Sequence, residues 1–308
     1  MHMSVVLRWA GSMIAGAGAV VLIVLSIMVG WFQLTVADED AFMEATSSVA
    51  RDQQFREELV DAAVQDIMEA PQLDRYFGAA DDGAWYSGAA SWLKDRAKGL
   101  VTRAVSTAVE SDQFPQIWDE TLLATHELNL SETAPNVLTL DVTPLYRLVD
   151  DKVRSLTTVD LHLAEERVLL PLEEVPPGQE EGPIARKLHR AQDWAQALPA
   201  FAVGAVVLTL LSAGLMPQRR LIPIALIAAA SGVGGWAALN AGAAFLRDAV
   251  ANLEGAGGVV ARALMEALTA NTGTWGQSAL GVGVGLAVLL LIIDVLIHAS
   301  RQDAPERH

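Results

Sequence analysis

Asp294 has the greatest chemical reach of any residue in this chain. It is a carboxylate inside an apolar run from about Ser278 to Ile297, with His298 four positions on. An acid within a bilayer is costly and by default marks a proton relay or an ion path. A carboxylate and an imidazole one helical turn apart can pass a proton between them. The pair also sits close to the end of the run, where side chains reach the headgroups, and this interfacial reading is preferred. Asn240, in a second apolar run, is expected to hydrogen-bond between helices rather than to hold a substrate.

The remaining polar candidates are weaker. Asp81-Asp82, Asp150-Asp151, Glu165-Glu166, Glu173-Glu174 and Glu180-Glu181 are acid pairs that invite calcium. None carries the D-x-[DN]-x-[DN]-G loop spacing, so they read as solvated surface. His126 and His162 lack the H-E-x-x-H spacing of a zinc helix, and no metal is expected. Trp85, Tyr86, Trp92 and Trp118 could line a lipid or glycan groove, although aromatics on amphipathic helices more often fill a core. No G-x-S-x-G turn or G-x-x-x-x-G-K-[ST] loop is present, so neither an acyl-transfer serine nor a nucleotide is expected. The chain has no cysteine, which removes disulfides, thiolate metal sites and cysteine nucleophiles. No catalytic, cofactor-binding or metal residue is therefore assigned, and no cofactor.

Charge divides the chain sharply. Residues 37–196 carry 31 Asp and Glu against 14 Lys and Arg, a net of −17, whereas the whole chain of 308 residues has −16. The rest is membrane-like sequence with a few basic anchors. An acidic block of this kind argues against nucleic acid, because phosphate binding relies on Lys and Arg.

The elements that position these groups follow from the apolar runs. Residues 197–215 and 221–245 flank Met216-Pro217-Gln218-Arg219-Arg220, and each run can cross a hydrocarbon core of about 30 Å. Two arginines in so short a turn mark the cytoplasmic side. The first run, Trp9 to Leu34, is far longer than the h-region of a signal peptide, so an uncleaved anchor is preferred. Arg8 before it and Asp38, Glu39 and Asp40 after it orient its start inward. With a last span at about 278–298, the expected fold is a membrane α-helical protein of four transmembrane helices. The domains are an anchor (1–36), an acidic extracytoplasmic domain (37–196), a three-span bundle (197–300) and a cytoplasmic tail (301–308). Both termini are inside, in the plasma membrane. Arg186, Lys187 and Arg190 fall on the outer side, where the charge bias is weak beside a long translocated domain.

Within 37–196 the periodicity is mainly helical. Phe55, Leu59, Ala63 and Ile67, flanked by Val60, Val64 and Met68, make one apolar face, begun by Asp52 and stopped by Pro71. A second helix runs from about Asp82 to Glu110, burying Leu93, Ala97, Leu100, Val101, Ala104, Val105 and Ala108. A third, capped by Asp112 with Pro115 in its first turn, turns Ile117, Trp118, Thr121 and Leu122 inward and fades near Asn129. Residues 136–142 alternate as a strand. Thr143-Pro144 then caps and opens a helix to about Leu156. Residues 159–163 and 168–172 look extended, giving a small sheet. Beyond the third span, Gly255-Ala256-Gly257-Gly258 reads as a break and Val259 to Leu268 as a short helix. In the spans, Gly281 and Gly285 form a GxxxG step with Gly283 between them. Ser231, Gly232, Gly234 and Gly235 give a matching small face, so the third and fourth spans are expected to pack together.

Phe114-Pro115-Gln116-Ile117-Trp118 and Val137-Leu138-Thr139-Leu140-Asp141-Val142-Thr143-Pro144-Leu145 carry one further signal. With the anchor–domain–three-span plan, the chain resembles uncharacterised integral membrane proteins common in actinobacteria. That resemblance implies the four-span architecture and supplies no activity or site residues. The function expected is non-enzymatic: an envelope scaffold or accessory subunit with a membrane protein partner or a second copy of itself. The alternative is a small-solute or lipid carrier or channel-like protein using the last three spans.

Overall fold

The computed structural model describes residues 2–69, 87–131, 133–157, 167–216 and 220–302. The fold is overwhelmingly helical, and four helices are long and apolar enough to cross a membrane. They are α1 (His2–Phe32), α7 (Pro183–Leu215), α8 (Leu221–Val250) and α10 (Thr272–Gln302). The chain forms two compact units. One holds α1, α7 from Arg190, α8 to Phe245 and α10. The other holds residues 38–189 and Leu246–Leu268.

In the apolar unit, small residues set which helices touch. A methyl added at Gly18 would stand 2.9 Å from Leu208, and one at Gly204 would stand 2.9 Å from Leu22, so α1 packs on α7. Gly234 and Gly235 receive Val24 and Ile27, so α1 also packs on α8. The contact of α8 with α10 is backbone on backbone. A methyl at Gly283 would lie 2.5 Å from the Ala228 carbonyl and 2.7 Å from Gly232 Cα. The two glycine-bearing spans do meet, through Gly232 and Gly283. Gly281 and Gly285, the GxxxG pair itself, have nothing within 4 Å. A step of four residues keeps those two on a common face, and the intervening Gly283 faces elsewhere.

The polar unit is built on α3 (Gln53–Glu69), α4 (Ser87–Val109), α5 (Phe114–Leu130) and α6 (Thr143–Thr157). A shorter helix, α2 (Glu39–Thr46), precedes them, and a 3-10 turn at Ser47–Arg51 follows it. The apolar stripe of α3 buries Phe55, Leu59, Val64 and Ile67, and Asp52 Oδ1 accepts the Phe55 amide at 3.0 Å. Phe114, Trp118 and Leu122 of α5 fill the centre, each no more than 1% exposed. Strand β1 (Thr139–Asp141) pairs antiparallel with β2 (Leu169–Pro171), Leu140 opposite Leu170.

Some sequence expectations need revision. The α5 cap position is Gln113, which makes no side-chain capping bond, rather than Asp112. On α4, Leu100 is exposed, while Val101, Ala104, Val105 and Ala108 are buried as expected. As the sequence suggests, the helix that opens at Pro183 leads into the second span, and it runs through Pro199. The glycine run does not break a helix; it opens α9 (Gly255–Thr269). Gly255 has a positive φ of 67°, and the Asp66 carboxylate crowds the place a Cβ would take. Asp66 Oδ2 accepts the Ala256 amide at 2.8 Å and so caps α9. Gly257 lets α9 approach the Pro171 carbonyl of β2. These glycines are needed for close approach, and α9 joins the core of the polar unit. Pro71, the start of the helix placed at Asp82, and the extended piece at 159–163 lie outside the described residues.

Candidate functional site

Asp294 is 7% exposed, on α10. His298 Nδ1 lies 2.8 Å from the Asp294 carbonyl oxygen and 3.6 Å from its carboxylate Oδ2. A carbonyl only accepts, so Nδ1 donates to it. The two side chains lie one helical turn apart on α10. Asn240 differs from expectation: its Nδ2 donates to Trp236 O, at 2.8 Å, within its own helix.

Interhelical polar clasps come instead from residues passed over in the sequence. Ser12 Oγ donates to Ser212 O and Ser212 Oγ donates to Ser12 O, both at 2.9 Å. Each hydroxyl thereby spends its proton on the opposite backbone. Near the end of α1, Trp31 Nε1 donates to Asn271 Oδ1, and just past it, in the π-helical turn Gln33–Ala37, Gln33 Nε2 donates to Ala195 O. Lone serines in apolar runs carry no period, which is why only the fold reveals the clasp.

Beside the serine clasp lies a cleft of about 840 Å³ between α1, α7 and α8. Arg8 and Trp9 stand at one end of its α1 wall, Val20 at the other, and the small exposed Ala17 and Ala230 leave it room. Among the described residues Arg8 is the charged one in its lining.

In the polar unit the buried acids form a knot around β1. Glu173 is 3% exposed; Oε1 accepts the amides of Leu138 (2.8 Å) and Ala185 (2.9 Å), and Oε2 accepts that of Ile184 (2.5 Å). It caps α7 and anchors the entry to β1 together, satisfying amides that a helix start leaves unpaired. Asp141 is 5% exposed, with Arg167 Nε at 2.7 Å from Oδ2 and the Thr143 amide at 3.1 Å from Oδ1. Burial alone pushes its pKa up. The hydrogen bonds from Thr143 and Arg167 and the guanidinium charge outweigh burial and hold it below the ordinary carboxylate value. Thr143 is therefore not the cap of its own helix as expected, because its Oγ1 accepts the Val168 amide across the sheet at 2.9 Å. Asn129 acts as a surrogate strand, exchanging bonds of 2.6 and 2.9 Å with the backbone of Thr139. The Tyr146 hydroxyl is pushed up by burial and by the Asp66 charge.

The other sequence candidates fall apart in space. Trp118 is a core residue, its Nε1 donating to Thr46 O at 3.3 Å and its ring 5.1 Å from Phe55. His126 stacks on Phe42 at 4.8 Å. Asp150 and Asp151 are bridged by Arg154 of the same helix, and Glu181 pairs with His189 at 3.0 Å. Among the described residues no three His, Asp or Glu side chains gather as a metal site. Asp81, Asp82, Trp85, Tyr86, His162, Glu165 and Glu166 lie outside the described residues, as does the side chain of Trp92. Against the expectation of no acyl-transfer serine, Ser91-Trp92-Leu93-Lys94 has the Ser-x-x-Lys spacing of a serine nucleophile and its base. It lies on α4, with its side chains outside the described set.

No protein-family model, curated protein or solved structure matches the chain.

Proposed function

We propose that this is a non-enzymatic, multi-pass plasma-membrane protein that presents its acidic helical unit outside the cell. It works by binding, as an envelope scaffold or the accessory subunit of a membrane complex. The observation that carries this reading is how the polar unit spends its acids. Glu173, Asp141 and Asp66 are consumed by backbone amides that close the domain. Glu57, Glu58, Asp61, Glu120 and Glu127 are exposed, leaving a negative surface for a basic partner. The sidedness rests on Arg8, Arg219 and Arg220, which belong inside by the bias of Lys and Arg against translocation.

The test is purification from the native host in mild detergent, with mass spectrometry of whatever remains bound. The reading expects a stoichiometric protein partner whose retention drops in E57K/E58K/D61K and falls with added salt. The rival carrier reading has one feature in its favour, the buried Asp294 beside His298. Asp294→Asn decides between them. A scaffold keeps its complex, whereas a carrier coupled through that carboxylate loses solute movement.

A further inference from the structure

We propose that the cleft between α1, α7 and α8 holds one anionic phospholipid, with an acyl chain along the groove and the phosphate at Arg8. The proposal rests on the reading of the apolar helices as membrane spans. A cleft of 840 Å³ is the size of an ordinary ligand site, roughly 300–1,000 Å³. Its wall on α1 runs from Arg8 to Val20. At 1.5 Å per residue that is roughly 18 Å, close to one leaflet of a core about 30 Å thick.

Past Val20 the helices close. Leu22 meets Gly204, Val24 meets Gly234 and Ile27 meets Gly235. The groove therefore ends near the midplane. A transmembrane helix of a partner would need it to continue; an acyl chain would not.

The lining chemistry agrees. Trp9, Met13, Ile222 and Leu226 offer hydrocarbon and aromatic surface. Ser12 and Ser212, although polar, have given their protons to backbone carbonyls and present no spare donor to a polar ligand. At the mouth, the C-terminal end of α7 (Leu215, Met216) and the first turn of α8 (Ile222) bring opposed helix dipoles that offset one another. Among the described lining residues the charged group is Arg8, whose guanidinium forks onto phosphate oxygens. A zwitterionic headgroup carries its own cation against that charge, and an anionic one does not.

The experiment is native mass spectrometry of the full chain released from nanodiscs of equal phosphatidylglycerol and phosphatidylcholine. One phosphatidylglycerol should remain per chain, preferred about fivefold over phosphatidylcholine. Ala17 and Ala230 are exposed within the cleft, so Ala17→Phe and Ala230→Phe fill it without entering a packed contact. Each should lower retention about tenfold. Arg8→Gln should keep a bound lipid and lose the preference. Equal retention of both lipids by the wild type, or unchanged retention in the phenylalanine variants, would overturn the proposal. Should both of those variants lose helix content, wild type with mid-chain nitroxide-labelled phosphatidylglycerol decides. An immobilised fraction of one lipid per chain supports the site, and its absence refutes it. Failure of the span reading itself would show separately, as loss of the chain from the membrane fraction.

Discussion

Gly283→Ala is the perturbation whose outcome differs most between a pattern reading and a structural one. The sequence offers Gly281 and Gly285 as the close-packing pair, four apart on one face. In the fold those two face open space, and Gly283 is the residue against α8. Its added methyl would stand 2.5 Å from the Ala228 carbonyl and 2.7 Å from Gly232 Cα, both backbone atoms that cannot rotate away. The helices must separate by roughly 1 Å to restore ordinary contact, which forfeits about a quarter to a half of the dispersion along the seam. Overpacking of this kind costs roughly 1–3 kcal/mol. Gly281→Ala and Gly285→Ala meet nothing and should be neutral or slightly stabilising through helix propensity. Thermal melting of the three single variants in one detergent reads the difference. Gly283→Ala should melt several degrees below wild type and the other two at or above it. Equal melting temperatures for all three, or a loss confined to Gly281→Ala and Gly285→Ala, would refute the packing argument.

Glu173→Ala removes the acceptor of three buried amides, each costing about 1–3 kcal/mol when left unpaired. Chemical denaturation of the polar unit's tertiary signal should show a loss of at least ~3 kcal/mol on that basis, with Glu173→Gln falling between it and wild type. Asp141 supplies a pH signature. Its pKa is depressed in the fold, so its stabilisation is complete above the unfolded carboxylate value near 3.8 and is lost as pH falls through the lower folded value. Melting scans from pH 5 downward should therefore bring wild type and Asp141→Asn together, and a gap that persists undiminished would contradict the assignment. Asp66→Ala uncaps α9 and should cost about 0.5–2 kcal/mol, read as faster amide exchange in residues 255–260 than in α5.

What was legible in the sequence was whatever repeats. Four apolar runs and the stripes of α3, α5 and α6 announce themselves through period and length, since burial of one face is what selects those residues. The β1–β2 sheet was legible too, from the apolar–polar alternation of 136–142, although all three β1 residues are buried in the fold. The knot around β1 was not. Glu173 sits in one of several acid pairs alike in composition, and only the return of α7 to β1 makes it a buried cap. The hydrophobic-looking stretch 137–145 turns out to carry the polar residues Thr139, Asp141 and Thr143 at its working positions. The cleft is equally silent in one dimension, being an absence of bulk at Ala17 and Ala230 on two different helices. Asn240 misled because an amide in an apolar helix can find its partner one turn back on its own backbone.

The central claim is that the acidic unit lies outside and the Arg219-Arg220 turn inside. With no native cysteine in the chain, Glu180→Cys and Gln218→Cys can be made singly and exposed to a membrane-impermeant maleimide in intact cells. The account predicts labelling of Glu180→Cys in intact cells and of Gln218→Cys only after lysis. Labelling of Gln218→Cys in intact cells, with Glu180→Cys protected until lysis, would contradict it.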